Sequence, residues 1–173
     1  MAHDGTDEHV KTVYAQFGLA MYLAQVLEHG LVNALVVLDL LPSRVGKPVP
    51  RKEWEREFES FMERHFETTL GRMIRNLKTV TPVPTELETI LSDALRRRNF
   101  LAHDYFRERA EKFMSIEGRE DMLSELQEAQ ALFEEADAKL TDVSRPLREK
   151  FGLTDERLAE FFGDYLRKVR NDL

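Results

Sequence analysis

The sequence predicts an all-α protein: an up-and-down bundle of four long helices with an additional C-terminal helix. Three observations support this prediction. Apolar residues recur at steps of three and four through most of the 173 residues, and no segment of useful length alternates with a period of two. Prolines fall between the periodic segments rather than throughout them. Apolar residues make up 42% of the chain and charged residues 33%, which is enough apolar material for a buried core.

The first helix is predicted from Thr6 or Asp7 to Leu41, with acidic residues in its first turn, where the helix dipole favours them. Its second half is apolar on nearly all sides, which is typical of a central, covered helix. Three prolines are then expected to break the chain into an extended connector: Pro42, Pro48 and Pro50.

The second helix is predicted from about Lys52 to Leu77, because its apolar residues keep a three-to-four spacing opposite a charged face. A second proline-rich break covers residues 81–84. Thr85 and Glu88 then have the spacing of a capping box, so the third helix is expected to start near Thr85.

The fourth helix is predicted to begin between Ser115 and Arg119. Its apolar residues form a heptad seam that we interpret as intramolecular core, with a dimerisation coiled coil as the alternative: Met122, Leu126, Ala129, Phe133, Ala136, Leu140, Val143 and Leu147. Pro146 predicts a kink or restart near residues 142–145. We therefore expect a bundle over residues 1–145 and a C-terminal extension, 146–173, packed on the same domain, with a last helix from Thr154 to Val169.

Composition excludes several classes of function. The chain has no cysteine, which excludes disulfides, thiol catalysis and cysteine-ligated metal sites. Its net charge of −7 argues against general, charge-driven binding of nucleic acids, and no DNA partner is expected. The N-terminus lacks the basic region of a secretory signal, and the longest uncharged run of the first helix, Thr12 to Leu27, is shorter than a membrane span. A cytoplasmic protein without a membrane partner is expected.

One segment of this acidic chain is basic. Residues 96–109 carry five arginines against Asp104 and Glu108, a local charge of +3. A basic segment in an acidic protein indicates a defined site for an anion, although a solvated helix face is the alternative. The arginines are Arg96, Arg97, Arg98, Arg107 and Arg109.

Within this segment, Arg98-Asn99-Phe100-Leu101-Ala102-His103 is followed by Tyr105. At roughly 100° per residue, Arg98 lies on the same stripe as the apolar residues of the third helix, so it needs a buried partner or a wet functional cleft. Asn99 and His103 are one turn apart on one flank, and Arg96 falls on the same flank. His103 is roughly 140° from Arg98 on an ideal helix, so the two converge only if the helix distorts or a second copy of the chain completes the site.

This segment resembles the signature of the HEPN superfamily, which is an arginine, a polar residue, three more residues and a histidine. These are all-α domains, many of them ribonucleases in toxin–antitoxin, phage-defence and RNA-processing systems. Tyr105 extends the match to the form seen in HEPN toxins paired with a minimal nucleotidyltransferase antitoxin. The motif covers about ten residues, and the predicted bundle resembles the HEPN core over residues 10–140. The segment after Pro146 and the acidic net charge depart from a minimal HEPN toxin.

The resemblance implies a metal-independent endoribonuclease that cleaves RNA through attack by the ribose 2′-hydroxyl, in the role of a toxin or of a phage-defence enzyme. It implies that His103 is the general acid and base and that Arg98 is the cation at the phosphate, with Asn99, Tyr105 and Asp104 in support. HEPN active clefts usually lie at a two-fold dimer interface. The expected partners are therefore RNA, a second copy of the chain and a nucleotidyltransferase-like antitoxin, with no metal or cofactor. The alternative is a non-catalytic HEPN-like module that binds nucleotides or RNA or assembles with proteins.

Further polar residues are candidates for the lining of this cleft or for RNA binding. Arg96, Arg97 and Arg107 come from the basic segment, and the first helix adds Glu28 and Asn33. The spacing of Gln25, Glu28, His29 and Asn33 predicts either a polar lining, with Glu28 paired to Arg98, or a partly exposed strip at a helix edge. Glu28, His29, Glu63 and His65 have metal-ligating side chains but not the spacing of a known metal motif, so no metal site is expected.

Overall fold

A computed structural model describes residues 3–171 as helices joined by short turns, with no strand in that range. The helices are α1 (His3–Leu35), a π-helical segment (Val36–Leu40), α2 (Leu41–Arg44), α3 (Arg51–Phe66), α4 (Leu70–Val80), α5 (Thr85–His103), α6 (Tyr105–Glu108), α7 (Ala110–Phe113), α8 (Ile116–Lys150) and α9 (Asp155–Asn171). The all-α class that the periodicity predicts is confirmed.

Helix α1 is the centre of the core and packs along α8 and against α4 and α5. Its inward residues, such as Leu27 and Leu31, are completely buried, and each fully buried leucine stabilises the fold by about 1.5–3 kcal/mol. The heptad seam of α8 is buried too, at 1% exposure or less: Met122, Leu126, Ala129, Phe133, Ala136 and Leu140. The preferred interpretation of the seam as intramolecular core is therefore confirmed.

The segment Glu8–Arg44 is long and apolar enough to cross a membrane by length and composition alone. Of its most apolar stretch, 44% is buried inside the structure. The core helix of a soluble protein and an N-terminal signal sequence both meet the same criteria.

The prediction of a single second helix over residues 52–77 is wrong, because residues 67–69 separate α3 from α4. The Thr68 hydroxyl donates to the carbonyl oxygen of His65 at 2.7 Å and so competes with the backbone for a helical hydrogen bond. Thr69 has the extended backbone of a residue that precedes a helix, with φ −72° and ψ 151°. The chain turns here and then starts a new helix.

This additional turn changes the topology, since α1 and α8 run parallel. The side chain of Gln16 meets Gln130, with 2.9 Å between Oε1 and Nε2, and Gly30 lies against Asp137, so residue numbers rise together along the two helices. In a simple up-and-down bundle of four helices, the first and fourth would be antiparallel. The predicted alternation over four long helices therefore does not describe the chain.

Two predicted boundaries near prolines also differ. The helical backbone passes Pro42 and ends at Arg44, because the N–H of Leu41 bonds to the carbonyl of Val36, five residues back. This wider π-turn accommodates a proline that has no N–H to donate. At the other proline-rich break, Thr85 is already inside α5 and makes no capping bond through its side chain, so the predicted capping box does not form.

Helix α8 begins at Ile116, within the predicted range, and the Ser115 hydroxyl caps it by accepting a hydrogen bond from a backbone N–H. Of the predicted kink or restart near Pro146, the restart does not occur: α8 continues to Lys150, and Val143 before the proline still packs on the core. The predicted domain boundary at 145/146 therefore falls inside a helix. The chain leaves α8 at Gly152, whose φ of +76° suits glycine.

Helix α9 begins directly after Thr154, as predicted. An ion pair between Arg148 and Asp155 attaches its first turn to α8. Its aromatic residues are exposed, at 64% for Phe161 and 58% for Phe162. The extension, which is predicted to pack on the same domain, thus keeps much of its apolar face in solvent.

Candidate functional site

A groove of about 370 Å³ lies between the start of α4 and the C-terminal half of α5. It is lined by Thr69, Leu70, Gly71, Leu95, Arg98, Asn99 and His103. Three of the residues singled out by the sequence, Arg98, Asn99 and His103, therefore border one groove within a single chain.

The wall opposite α5 consists of the first residues of α4, which the sequence does not point to. Thr69 is extended, and its carbonyl accepts the first backbone hydrogen bonds of α4. A Cβ on Gly71 would come within 3.3 Å of the Leu95 side chain, so a residue without a side chain lets α4 approach α5 closely. The only sequence signal for this wall is the threonine pair followed by a glycine.

Arg98 is fixed by two side chains. Its Nε donates to Oε1 of Glu28 at 3.0 Å, and its Nη1 donates to Oδ1 of Asn99 at 3.4 Å. The side chain of Arg98 is 30% exposed and that of Glu28 is 21% exposed, so the pair is partly desolvated. The sequence indicates that a cation on this apolar stripe needs a buried partner or a wet cleft, and Arg98 has both: a carboxylate on α1 and a groove open to water.

His103 is the last residue of α5, and its side chain is exposed. Within the described part of the chain, its ring makes no hydrogen bond or ion pair, which leaves both nitrogens available to a ligand. The angular separation from Arg98 matters less than an ideal helix implies. Asn99 lies one turn before His103 and next to Arg98, and the long arginine side chain reaches the same groove.

Tyr105 lies outside the groove and inside the core. It is 1% exposed, its hydroxyl donates to the carbonyl of Met122 at 3.0 Å, and its ring stacks on Phe17. The helix is interrupted at Asp104, with φ −126° and ψ −19°, and this break turns the next residues away from the line of α5. Burial, aided by the nearby charge of Glu125, raises the pKa of the Tyr105 hydroxyl well above its usual value.

Asp104 and Arg107 form an exposed pair, with 2.6 Å between Oδ1 and Nη2, and line neither this groove nor the next. Such a pair stabilises the fold by about 0–1 kcal/mol. Both remain candidates for contact with a large ligand only at the surface.

A second groove, of about 450 Å³, runs along another side of α5. It is lined by Asp93, Arg96, Arg97, Phe100, Arg109 and Leu132. Arg96 therefore faces this groove and an ion pair with Asp93, not the flank of His103. Arg97 has no ion pair with any residue that the structure describes.

Arg109 is held at this second groove by two contacts. Its guanidinium lies over the ring of Phe100, 5.1 Å from the centroid, and its Nε donates to Glu125 at 2.7 Å. Burial raises the pKa of the Glu125 carboxyl, but the hydrogen bonds from Arg109 and Lys112 outweigh it, so the pKa is lowered overall. The carboxylate of Glu125 thus fixes Arg109, and the flat guanidinium covers the ring of Phe100. A planar, fixed guanidinium of this kind also suits stacking of a base.

The remaining candidates on α1 divide between sites. Glu28 joins the groove of His103 through Arg98, whereas His29 and Asn33 line a cavity between α1 and α8. The residues whose side chains the structure describes, 8–164 and 166–170, hold no cluster of three or more histidine, aspartate or glutamate side chains that could bind a metal ion.

Comparison of the chain with protein-family models, with curated proteins and with solved structures finds no match in any of the three.

Proposed function

We propose that this protein is a metal-independent endoribonuclease of the HEPN type. One observation carries the proposal: Arg98, Asn99 and His103, the polar residues of the HEPN-like motif, border the same groove. RNA cleavage without a metal needs a group that titrates near neutral pH and a fixed cation for the charge that develops on phosphorus. Histidine and arginine supply these two needs.

In the proposed reaction, the ribose 2′-oxygen attacks phosphorus and the P–O5′ bond breaks. His103 takes the proton of the 2′-hydroxyl and then, as the protonated imidazole, gives a proton to the departing 5′-oxygen. Arg98 keeps Nη2 free of hydrogen bonds to the described residues, and this nitrogen can donate to a phosphate oxygen while Glu28 fixes the rest of the guanidinium. Asn99 positions the arginine.

The second groove is the proposed path for the RNA strand beyond the cleaved phosphate. Arg97 is a cation without a carboxylate partner among the described residues, and Phe100 with Arg109 offers a surface for stacking. Binding by a few local arginines is compatible with an acidic protein, because contacts at the phosphates depend on the local potential.

We further propose that two copies form a two-fold dimer with the His103 grooves beside the interface. The exposed face of α1 supports this, since Tyr14, Gly18 and Tyr22 are exposed within an uncharged run. A two-fold contact sets this face against itself and buries no charge. Light scattering at micromolar concentration should give a dimer mass, and Tyr22→Lys should give a monomer. A monomeric mass for the unmodified protein would contradict the dimer.

A toxin role with a nucleotidyltransferase-like antitoxin is a narrower proposal within this one. Expression of the chain alone should then arrest growth, and His103→Ala should relieve the arrest. Equal growth with either chain would remove the toxin role while leaving the ribonuclease proposal intact.

The second candidate is a non-catalytic HEPN-like module that binds nucleotides or RNA or assembles with proteins. The ion pair of Arg98 with Glu28 favours it, because a guanidinium that is already neutralised stabilises a developing negative charge less. Incubation of the purified protein with a structured RNA in EDTA separates the two functions. The enzyme should yield 2′,3′-cyclic phosphate and 5′-hydroxyl ends, whereas binding without cleavage would favour the module.

A further inference from the structure

A third cavity, of about 320 Å³, lies between α1 and α8 and shares no residue with the other two grooves. Its apolar walls include Val37 and Leu140, and its polar residues include Asn33, Asp137, Ser144 and Arg148. Several features that cost folding free energy meet at this one cavity, and such features are retained at functional sites more than elsewhere.

The first of these features is Asp137, a half-buried carboxyl. It makes no hydrogen bond or ion pair with any described residue, and burial raises its pKa. It lies directly over Gly30 in the interior of α1, where a Cβ would overlap Oδ1 of the aspartate. A glycine that weakens the helix therefore makes room for an acid that lacks a partner.

The second feature is Arg148 at the other end of the cavity. Its side chain is only 15% exposed, and one terminal nitrogen pairs with Asp155. Its Nε is buried without a hydrogen-bond partner among the described residues, which costs folding free energy. Its other terminal nitrogen, Nη1, makes no hydrogen bond to those residues and is not enclosed, so it is the atom that a ligand can reach. The π-helical segment, a distortion that is frequent at functional sites, borders the same cavity through Val37.

The spacing of the two charges sets the length of a ligand. Asp137 and Arg148 are eleven residues apart, which is three helical turns, so they share one face of α8 with Cα atoms about 16 Å apart. Both side chains lean towards the N-terminus of α8, but the arginine is much longer, so the guanidinium moves towards the aspartate further than the carboxylate moves away. The remaining span suits two or three extended residues at about 3.3–3.6 Å each.

We propose that the cavity between α1 and α8 binds a short zwitterionic peptide, with its ammonium group at Asp137 and its carboxylate at Arg148. The ammonium group gives Asp137 the partner that it lacks, and the carboxylate accepts from the Nη1 of Arg148, which Asp155 leaves free. Charge-assisted hydrogen bonds are the strongest available to both groups. Asn33, about one turn after Gly30 on α1, lines the same cavity and can offer hydrogen bonds to the peptide backbone. This inference does not depend on the ribonuclease proposal.

Isothermal titration of the full chain with trialanine tests the proposal. We expect saturable binding, at least tenfold weaker binding of the N-acetylated, C-amidated tripeptide, and at least fivefold weaker binding of trialanine to Asp137→Asn and to Arg148→Lys. Asp142→Asn and Arg145→Lys are matched controls, since both residues are exposed on α8 and pair with each other, and they should bind as the unmodified chain does. Thermal melts identify any variant that fails to fold. Gly30→Ala, which displaces Asp137, should also weaken the binding of trialanine and so tests the site independently.

Three results would overturn the proposal: no binding of trialanine at millimolar concentration, equal binding of the capped tripeptide, or binding of adenosine monophosphate in place of the peptide. Asp155→Asn separates the role of Arg148 in binding from its role in holding α9. If this variant keeps its affinity for trialanine while Arg148→Lys loses it, the arginine acts on the ligand. If both lose affinity equally, the proposed contact with the ligand is wrong.

Discussion

Arg98 and Glu28 form an ion pair that joins α5 to α1, with 3.0 Å between Nε and Oε1 and 70 residues between them along the chain. The pair holds the guanidinium beside the groove of His103 while leaving one of its nitrogens free. It therefore has two consequences that can be measured separately, one for stability and one for function.

The stability consequence is a coupling between the two residues. Because both side chains are partly exposed, the pair should contribute about 1–2 kcal/mol, between the values of exposed and buried pairs. A double-mutant cycle with Arg98→Met, Glu28→Leu and both changes together, measured by urea unfolding, gives the coupling directly. A coupling near zero would show that the arginine is held for function alone, and a coupling of 3 kcal/mol or more would favour a purely structural pair.

Tyr105 should matter for stability and not for cleavage. Tyr105→Phe removes a buried hydroxyl that donates to the carbonyl of Met122, so the free energy of unfolding should fall by about 1 kcal/mol. The rate of RNA cleavage should stay within twofold of the unmodified protein, because this side chain does not border the groove. A large loss of rate with an unchanged melt would instead assign the tyrosine to the reaction.

The half-buried carboxyl of Asp137 predicts a pH dependence. Its pKa is raised in the folded protein, so the folded state holds the proton more tightly than the unfolded chain. The stability that this group contributes is complete below its unfolded pKa of about 3.9 and is lost as pH rises through the folded pKa. Asp137→Asn should therefore be more stable than the unmodified chain at pH 7, with a smaller difference near pH 3. Urea midpoints at both pH values check this, and a variant that is less stable at pH 7 would contradict it.

Arg97 should contribute to RNA binding through the phosphates. Arg97→Ala should weaken binding of a single-stranded RNA and lower the slope of log K against log salt by about 0.7–1, the contribution of one phosphate contact. Arg56→Ala is the control, since Arg56 is an exposed arginine on α3 that borders neither groove beside α5. Equal losses in both variants would mean that general charge, and not the second groove, binds the RNA.

Periodicity predicts the elements of this fold whose burial is strongest. The seam of α8 from Met122 to Leu140 is read correctly because every inward residue is completely covered by α1 or α5. The break at Thr69 is missed because the apolar spacing continues across it, and only the local competition of a threonine hydroxyl for the backbone ends the helix. This short turn splits one predicted helix into two, which changes the topology of the bundle but leaves the all-α class unchanged.

The candidate site divides in the same way. Arg98, Asn99 and His103 are close in sequence on one helix, so spacing alone brings them to one groove. The opposite wall at Gly71 depends on tertiary packing that no local pattern contains. Tyr105 falls on the apolar stripe of the predicted third helix but lies in α6, after the break at Asp104, and its burial in the core, rather than the motif, decides its position. The contact of Gly30 with Asp137 joins two helices that are far apart in sequence, so the spacing of residues along the chain cannot predict it.

The most direct test of the central claim is the rate at which His103→Ala cleaves a labelled RNA in EDTA, beside His29→Ala as a control histidine that lies outside the groove. We expect the rate to fall at least about 100-fold for His103→Ala, the lower range for removal of a general acid or base. The melting temperature should be nearly unchanged, because the side chain is exposed. His29→Ala should cleave at the unmodified rate. Equal rates for His103→Ala and the unmodified protein would contradict the assignment of this groove as a ribonuclease site.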